Sequence, residues 1–249
     1  NNCSSLTNIM LSASLASIGA SAFSGCNALL GIVIPAGVTN IGDSAFNGCA
    51  KIPSVVISSG VTQIGNSVFN GCSILTSAVI PAGVTSIGTA AFGNDPKLAS
   101  ILLPNSVTNI GNQSFYSCGG LTNLSLGNGL VSIGTSAFSG CSGLTSLLLP
   151  ASLTSIGDIA FDGCSGLTTV TVPSGVTSIG QSIFYQCTKL VTVTLGGSVT
   201  NIGYLAFGNC THLTAIYCPG NAPAADPATF NGTTSAIIYY LPTTTGWMS

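Results

Sequence analysis

The chain has 249 residues, a formal net charge of −2 and only eight charged side chains: Lys51, Lys97, Lys189, Asp43, Asp95, Asp158, Asp162 and Asp226. Charged residues make up 3%, against roughly 25% in an ordinary globular domain. Three lysines cannot supply the basic footprint of a nucleic-acid binder or a polybasic membrane anchor, and a chain with no Arg, no Glu and a single His, His212, has almost no stock for acid–base catalysis.

Hydrophobic residues at 46% argue against disorder. No stretch reaches the roughly 18 apolar residues of a spanning helix. The longest, Leu29 to Val38, is broken by Gly31, Pro35 and Gly37.

Along the chain the dominant signal is repetition. The dipeptide Ile-Gly starts at Ile18, Ile41, Ile64, Ile87, Ile110, Ile133, Ile156, Ile179 and Ile202, always 23 residues apart. Five residues after each Ile stands Phe23, Phe46, Phe69, Phe92, Phe115, Phe138, Phe161, Phe184 or Phe207, and Phe230 continues the phase. This predicts one internal ladder of phenylalanines.

The unit from 144 to 166, LTSLLLPASLTSIGDIAFDGCSG, shows the expected elements. Leu144, Leu147 and Leu149 are the inward residues of a short strand closed by Pro150. Leu153 and Ile156 form a second inward pair. Gly157 is expected to allow a tight bend. Asp158 is expected to cap a short helical turn whose Ala160, Phe161 and Cys164 face inward. So small a unit cannot bury that face alone, but stacked units can, which predicts a solenoid. The expected fold class is an α/β repeat solenoid of about ten coils, with short parallel strands and short helical turns, of order 50 Å long. It is read as a single domain over 1–249, with regular repeats over 3–218 and a diverged capping repeat over 219–249.

The unit L-T-x-(V/L)-x-(I/L)-P-x-(G/S)-(V/L)-T-x-I-G-x-x-A-F-x-G-C-x-x resembles the BspA-type leucine-rich repeat. The likeness is clearest in the unit above and in LTTVTVPSGVTSIGQSIFYQCTK, and it runs from about Cys3 to Leu241. The closing YLPTTTGW resembles the end of such arrays. The resemblance implies a leucine-rich-repeat-like right-handed coil. It also implies a bacterial or protist surface or secreted protein, of a kind that binds host or matrix proteins. No catalytic residue belongs to the pattern.

Cys3, Cys26, Cys49, Cys72, Cys118, Cys141, Cys164, Cys187 and Cys210 share one repeat position, and Asp95 stands where a further one is due. Cys218 lies at a strand position. Equivalent atoms on adjacent coils lie about 4.8 Å apart, wider than the roughly 3.8 Å between disulfide Cβ atoms. A column of buried thiols is therefore expected, with occasional disulfides or a metal site as the other readings. Asp95, next to Pro96 and Lys97, is expected to bulge and expose its carboxylate.

Other candidates weigh less. His212 could belong to a Ser-His-Asp triad, but it shares a loop column with Lys51, Lys97 and Lys189. Asp158 and Asp162 could chelate calcium, yet two carboxylates are few, and capping or solvation is the expected role. Asn-x-Ser/Thr sequons start at Asn2, Asn112, Asn123, Asn209 and Asn231. A chain this rich in Ser, Thr and Asn produces such sequons by accident.

Between the inward strand residues runs a column of Met10, Val33, Val56, Val79, Leu102, Ser125, Leu148, Thr171, Thr194 and Tyr217. Alternation turns it outward. Val33, Val56, Val79, Leu102, Leu148 and Tyr217 are the candidate interaction surface, flanked by small Ser54, Ser77, Ser100 and Ser146. A second column of Thr39, Thr62, Thr85, Thr108, Thr154, Thr177 and Thr200 has the layout of an ice-binding face.

The chain opens in mid-repeat, so either preceding sequence or a covering molecule is expected at that end. The expected function is a non-enzymatic extracellular or cell-surface protein mediating adhesion or protein–protein interaction through its sheet face. The partner would be a protein or glycan, with no nucleic acid, no transmembrane segment and no cofactor or metal. The alternatives are a structural protein that assembles with copies of itself into a filament or surface layer, and an ice-binding protein.

Overall fold

The structure is a computed structural model and describes residues 2–247; Asn1, Met248 and Ser249 lie outside it, at the two ends of the expected 1–249 unit. The alternation of apolar and small polar residues gives most repeats two short strands, while the first two coils have only Ser17–Ile18 and Asn40–Ile41. The strands stack in parallel on their counterparts one repeat away, in five separate sheets, so the molecule is a parallel-strand β-solenoid of about ten turns.

On one side lie Ser54–Val56, Ser77–Val79, Ser100–Leu102 and Asn123–Ser125. Leu147–Leu148, Thr169–Thr171, Thr192–Thr194, Ala215–Cys218 and Ile237–Tyr240 carry on that side in a second sheet. On the other side run two-residue strands, each ending in the Ile of Ile-Gly, from Ser17–Ile18 to Asn201–Ile202. The pairing follows the repeat: Ile101 faces Leu124, and Val170 faces Val193. The last coil breaks step, because Tyr217 pairs with Tyr239, one residue earlier than the period demands.

Within each strand the pleat sends one residue in and its neighbours out, as in buried Val55 between exposed Ser54 and Val56. The inward residues meet in one continuous core. At its centre the ten phenylalanines form an unbroken stack. Ring centroids are 5.2 Å apart between Phe115 and Phe138 and 5.7 Å between Phe207 and Phe230, in the range of offset aromatic pairs. Phe23 and Phe230, at the two ends, are only partly buried.

The third side of each coil corrects the expected fold class. No helix occurs among the described residues, and the predicted helical turns are turns of another kind. Two residues in each regular repeat adopt φ > 0: Ser44 at 58° and Gly48 at 71° in one unit, Ile159 at 62° and Gly163 at 66° in another. A left-handed residue every fourth position stops a helix from propagating. In return, alternate amides point along the stack. Ser44, Phe46 and Gly48 donate from their N–H groups to Asn66, Val68 and Asn70 of the next coil at 2.8, 2.9 and 2.8 Å. The side read as helical is thus a third inter-coil ladder, and the fold is all-β with turns rather than α/β.

Gly157 also has a different reason from the one expected. It is not among the positive-φ glycines. A Cβ there would lie 2.5 Å from the Thr135 amide nitrogen and 2.7 Å from the Gly134 carbonyl carbon. The coils approach so closely at this position that no side chain fits between them.

Candidate functional site

The outward column on the longer-strand side is exposed except at half-buried Thr194, and Met10 and Val33 continue it through the two coils that precede the first of those strands. Met10 is 93% exposed, Val33 83%, Val56 64%, Val79 56% and Leu102 60%. These five follow one another coil by coil as a continuous apolar stripe. After the polar Ser125, Leu148 is an isolated apolar residue, 84% exposed. Tyr217 is exposed at the far end, beyond Thr171 and Thr194.

Two shallow hollows flank Val33. One, of about 490 Å³, is lined by Ile9, Met10, Leu11, Val33 and Pro35 among others. The other, of about 470 Å³, is lined by Val33, Ile34, Ser54, Val56 and Ile57 among others. None of the charged residues lines either hollow.

The remaining candidates have structural work. Every cysteine is a free thiol. Each thiol from Cys49 onward in the column donates to the carbonyl of the Phe in the preceding coil, for example Cys141 to Phe115 at 3.2 Å and Cys210 to Phe184 at 3.1 Å. Burial pushes the Cys49 and Cys210 thiols up to about 12. Burial, joined by the next thiol in the column, holds Cys141, Cys164 and Cys187 well above the usual thiol range. Such thiols are poor nucleophiles and poor metal ligands. Cys3 departs from the expected inward column: it is exposed, because no coil precedes it among the described residues.

Asp95 overturns its expectation. The backbone does not bulge: Leu98 donates to the Asp95 carbonyl at 3.0 Å, as Leu121 does to that of Cys118. The side chain therefore goes where the thiols go, with 0% of the residue exposed. Both carboxyl oxygens are buried without a hydrogen-bond partner. Burial pushes its pKa up to about 9, and the nearby amides of Cys72 and Gly71 offset only part of this. The Cys72 and Gly71 amides already donate to Phe69 and Gly93.

Asp158 does not cap a helix. Its Oδ1 accepts from the Gln181 amide of the next coil at 2.8 Å. Asp43 does the same for Asn66, and Asn112 for Thr135. Asp162 is part-buried and accepts from the Ser139 hydroxyl at 3.4 Å, and burial raises its pKa. Asp158 and Asp162 thus serve separate partners. His212 is exposed, and its Nδ1 donates to the Thr188 carbonyl at 2.6 Å.

The Thr column has a structural role as well. Thr85, Thr108 and Thr200 donate their hydroxyl protons to the carbonyls of Thr62, Thr85 and Thr177 at 3.1, 3.3 and 3.2 Å. Those hydroxyls staple one coil to the next, and the ice-binding reading gains nothing from them.

One grouping escaped the sequence pattern. Tyr239 lies beside Tyr217 on the outer face, with ring centroids 5.1 Å apart. The signal was available as a 22-residue spacing, but it is out of phase with the period of 23.

The comparisons agree with this architecture. The family model described as the BspA type leucine rich repeat region (6 copies) matches residues 1–122 and again 108–237. A leucine-rich repeat protein from Bacteroides ovatus is similar at 28% identity with a TM-score of 0.59, covering 92% of this chain and 77% of its own. A leucine rich cell surface protein from Faecalibacterium prausnitzii is similar at 28% identity with a TM-score of 0.58, covering 96% and 74%. A leucine rich repeat protein from T. pallidum is similar at 32% identity with a TM-score of 0.61, covering 65% and 78%. No curated protein matches the chain.

Proposed function

The chain belongs to the BspA-type leucine-rich repeat family, and from that premise we propose that it is a non-enzymatic, cell-surface or extracellular scaffold that binds a protein partner through the outer face of its longer strands. It works as one solenoid, with regular repeats over 3–218 and a diverged closing coil over 219–249. The family is commonly found in bacterial surface proteins, and the similar protein from Faecalibacterium prausnitzii is described as a cell surface protein. No helix among the described residues is long and apolar enough to cross a membrane.

One observation carries the reading: the exposed stripe of Met10, Val33, Val56, Val79 and Leu102. Contiguous exposed apolar surface marks contact sites far more often than scattered residues do. The hollows beside Val33 offer seats for a partner's anchoring side chains. The small Ser54, Ser77 and Ser100 beside the stripe let a flat partner approach.

A photoreactive amino acid placed at position 56, and at position 178 on the opposite sheet as control, tests this. The protein is irradiated with the surface and secreted fraction of the producing cells, and the products are sequenced. Adducts to another protein at 56 and not at 178 are expected. Equal labelling at both positions, or none at 56, overturns the proposal. Adducts only between copies of this chain would assign the stripe to self-assembly instead.

A further inference from the structure

The aromatic residues that carry a polar group are unevenly placed. The chain has six Tyr and one Trp, and Tyr217, Tyr239, Tyr240 and Trp247 gather at the C-terminal end of the longer-strand side. Tyr217 and Tyr239 stack with planes 22° apart, and Tyr240 and Trp247 stack at 4.8 Å with planes 8° apart. Trp247 Nε1 donates to the Thr244 hydroxyl at 3.0 Å, and that hydroxyl donates to the Leu241 carbonyl at 2.6 Å. The segment bearing the Trp is thereby tied down.

Thr194, Tyr217, Pro219, Tyr239, Tyr240 and Leu241 line a shallow hollow of about 170 Å³, with Cys218 as its remaining wall. Tyr217 stands between Ile216 and Cys218, which are buried. Its ring therefore does not close the core. It is held on the outer face with one neighbour, Tyr239, and on its other side stand the short Thr194 and then Thr171.

We propose that this hollow is a binding subsite for a neutral saccharide chain. An aromatic face carries negative electrostatic character and attracts the weakly positive C–H face of a sugar ring. None of the charged residues lines the hollow, so nothing there selects an anion or a cation. The Tyr217, Tyr239 and Tyr240 hydroxyls have no protein partner among the described residues and are free to bond sugar hydroxyls. Thr171 and Thr194 extend that hydroxyl-bearing surface along the sheet. The stacked pairs hold the rings in place before any ligand arrives, which lowers the ordering cost of binding. A proline-rich peptide also uses aromatic plates. The Thr171 and Thr194 hydroxyls in register beside the Tyr217 ring favour the saccharide. This site stands apart from the stripe centred on Val56, and either reading survives the failure of the other.

Cellohexaose, maltohexaose and mannohexaose titrated into the protein, followed by Tyr and Trp fluorescence and by saturation-transfer NMR, test the proposal. At least one is expected to give a saturable change with transfer to its ring protons. Tyr217→Ser should weaken it about tenfold while moving Tm by less than about 2 °C. Tyr217→Phe should retain most of the affinity, because the ring remains, and Val56→Lys should leave it unchanged. The proposal is overturned if none of the three saturates by roughly 10 mM. It is equally overturned if a decaproline peptide competes for the same signal with higher affinity, or if Tyr217→Ser binds like the parent.

Discussion

The Thr233 hydroxyl donates to the carbonyl of Phe207 at 2.6 Å, completing in the last coil a bond that cysteines make in the coils before it. The same oxygen accepts from the Cys210 amide at 2.9 Å. A buried polar group in this column is thus tolerated when it both donates and accepts.

Asp95 occupies the same position, but neither of its buried carboxyl oxygens has a hydrogen-bond partner. Its titratable neighbours in the column are Cys72 and Cys118, both held protonated by burial. In the unfolded chain Asp95 titrates near 3.8, and in the fold near 9. Between those values the folded state holds one proton more. Its stability is therefore complete below about pH 4, declines by about 1.4 kcal/mol per pH unit as pH rises, and levels off above about pH 9. The loss at pH 7 is on the order of 4 kcal/mol. Asp95→Cys should remove this slope and raise stability at neutral pH, as read by denaturant unfolding at pH 5, 7 and 9. Parallel pH profiles for parent and variant would show that the carboxyl is not buried.

The thiols allow a second expectation. Burial keeps Cys49, Cys141, Cys164, Cys187 and Cys210 protonated at pH 8, whereas Cys3 is exposed. Iodoacetamide applied to the native protein should modify Cys3 first and leave the column intact until guanidinium unfolds it. Peptide mass spectrometry reads the order directly. Labelling of Cys141 as fast as Cys3 would contradict the buried column.

The period of 23 made the Phe ladder and the strand columns legible, because burial recurs with the repeat and apolar residues recur with burial. The left-handed positions were not legible. Ser44, Ala90, Ile159 and Leu205 hold φ of 58°, 51°, 62° and 51°, and none is a glycine that would announce it. Asp95 was misread because a lone carboxylate ordinarily seeks water. Here the backbone bonds of the adjacent coils fix its direction first. Tyr239 was missed because a single dropped residue moves it out of phase. At the left-handed positions and at Asp95 the inter-coil ladder overrode a local preference.

That ladder sets the tolerance of the glycines. At Gly157 a methyl group would meet the backbone of the preceding coil at 2.5 Å, whereas at Gly197 a Cβ has nothing within 4 Å. Gly157→Ala should cost more than about 2 kcal/mol, by a clash that only backbone movement relieves. Gly197→Ala should stay within about 0.5 kcal/mol of the parent. Thermal unfolding of the two single variants checks the contrast. Equal effects would mean that the coils are spaced more widely than the structure has them.

The left-handed turn at Ile159 carries strain of a different origin. Its φ of 62° is unfavourable for a β-branched side chain. It persists because the Ile159 amide donates to the Gln181 carbonyl at 2.9 Å. The same column holds Ser21, Ser44, Ser67, Ser136 and Ser182 in other coils, all at positive φ. Ile159→Asn keeps the backbone bond and suits the conformation, so it should raise stability by about 1 kcal/mol. A loss of that size instead would show that the half-buried isoleucine contributes more by packing than it costs in strain.

The stripe gives the last expectation, and it separates contact from stability. Val56 and Val79 stand outside the core, with Val55 and Ala78 taking the inward places in the same strands. The double change Val56→Lys and Val79→Lys therefore removes little buried area, and unfolding should shift by less than about 1 kcal/mol. Any contact made through the stripe buries those two side chains, and two unpaired ammonium groups there would oppose it strongly. With so few charges on the chain, association through this face gains little from electrostatic steering. The on-rate of the parent should therefore change little between 50 mM and 500 mM salt, as followed by surface plasmon resonance against the partner captured at position 56. A steep salt dependence would place the contact at the few charged side chains instead of the apolar stripe.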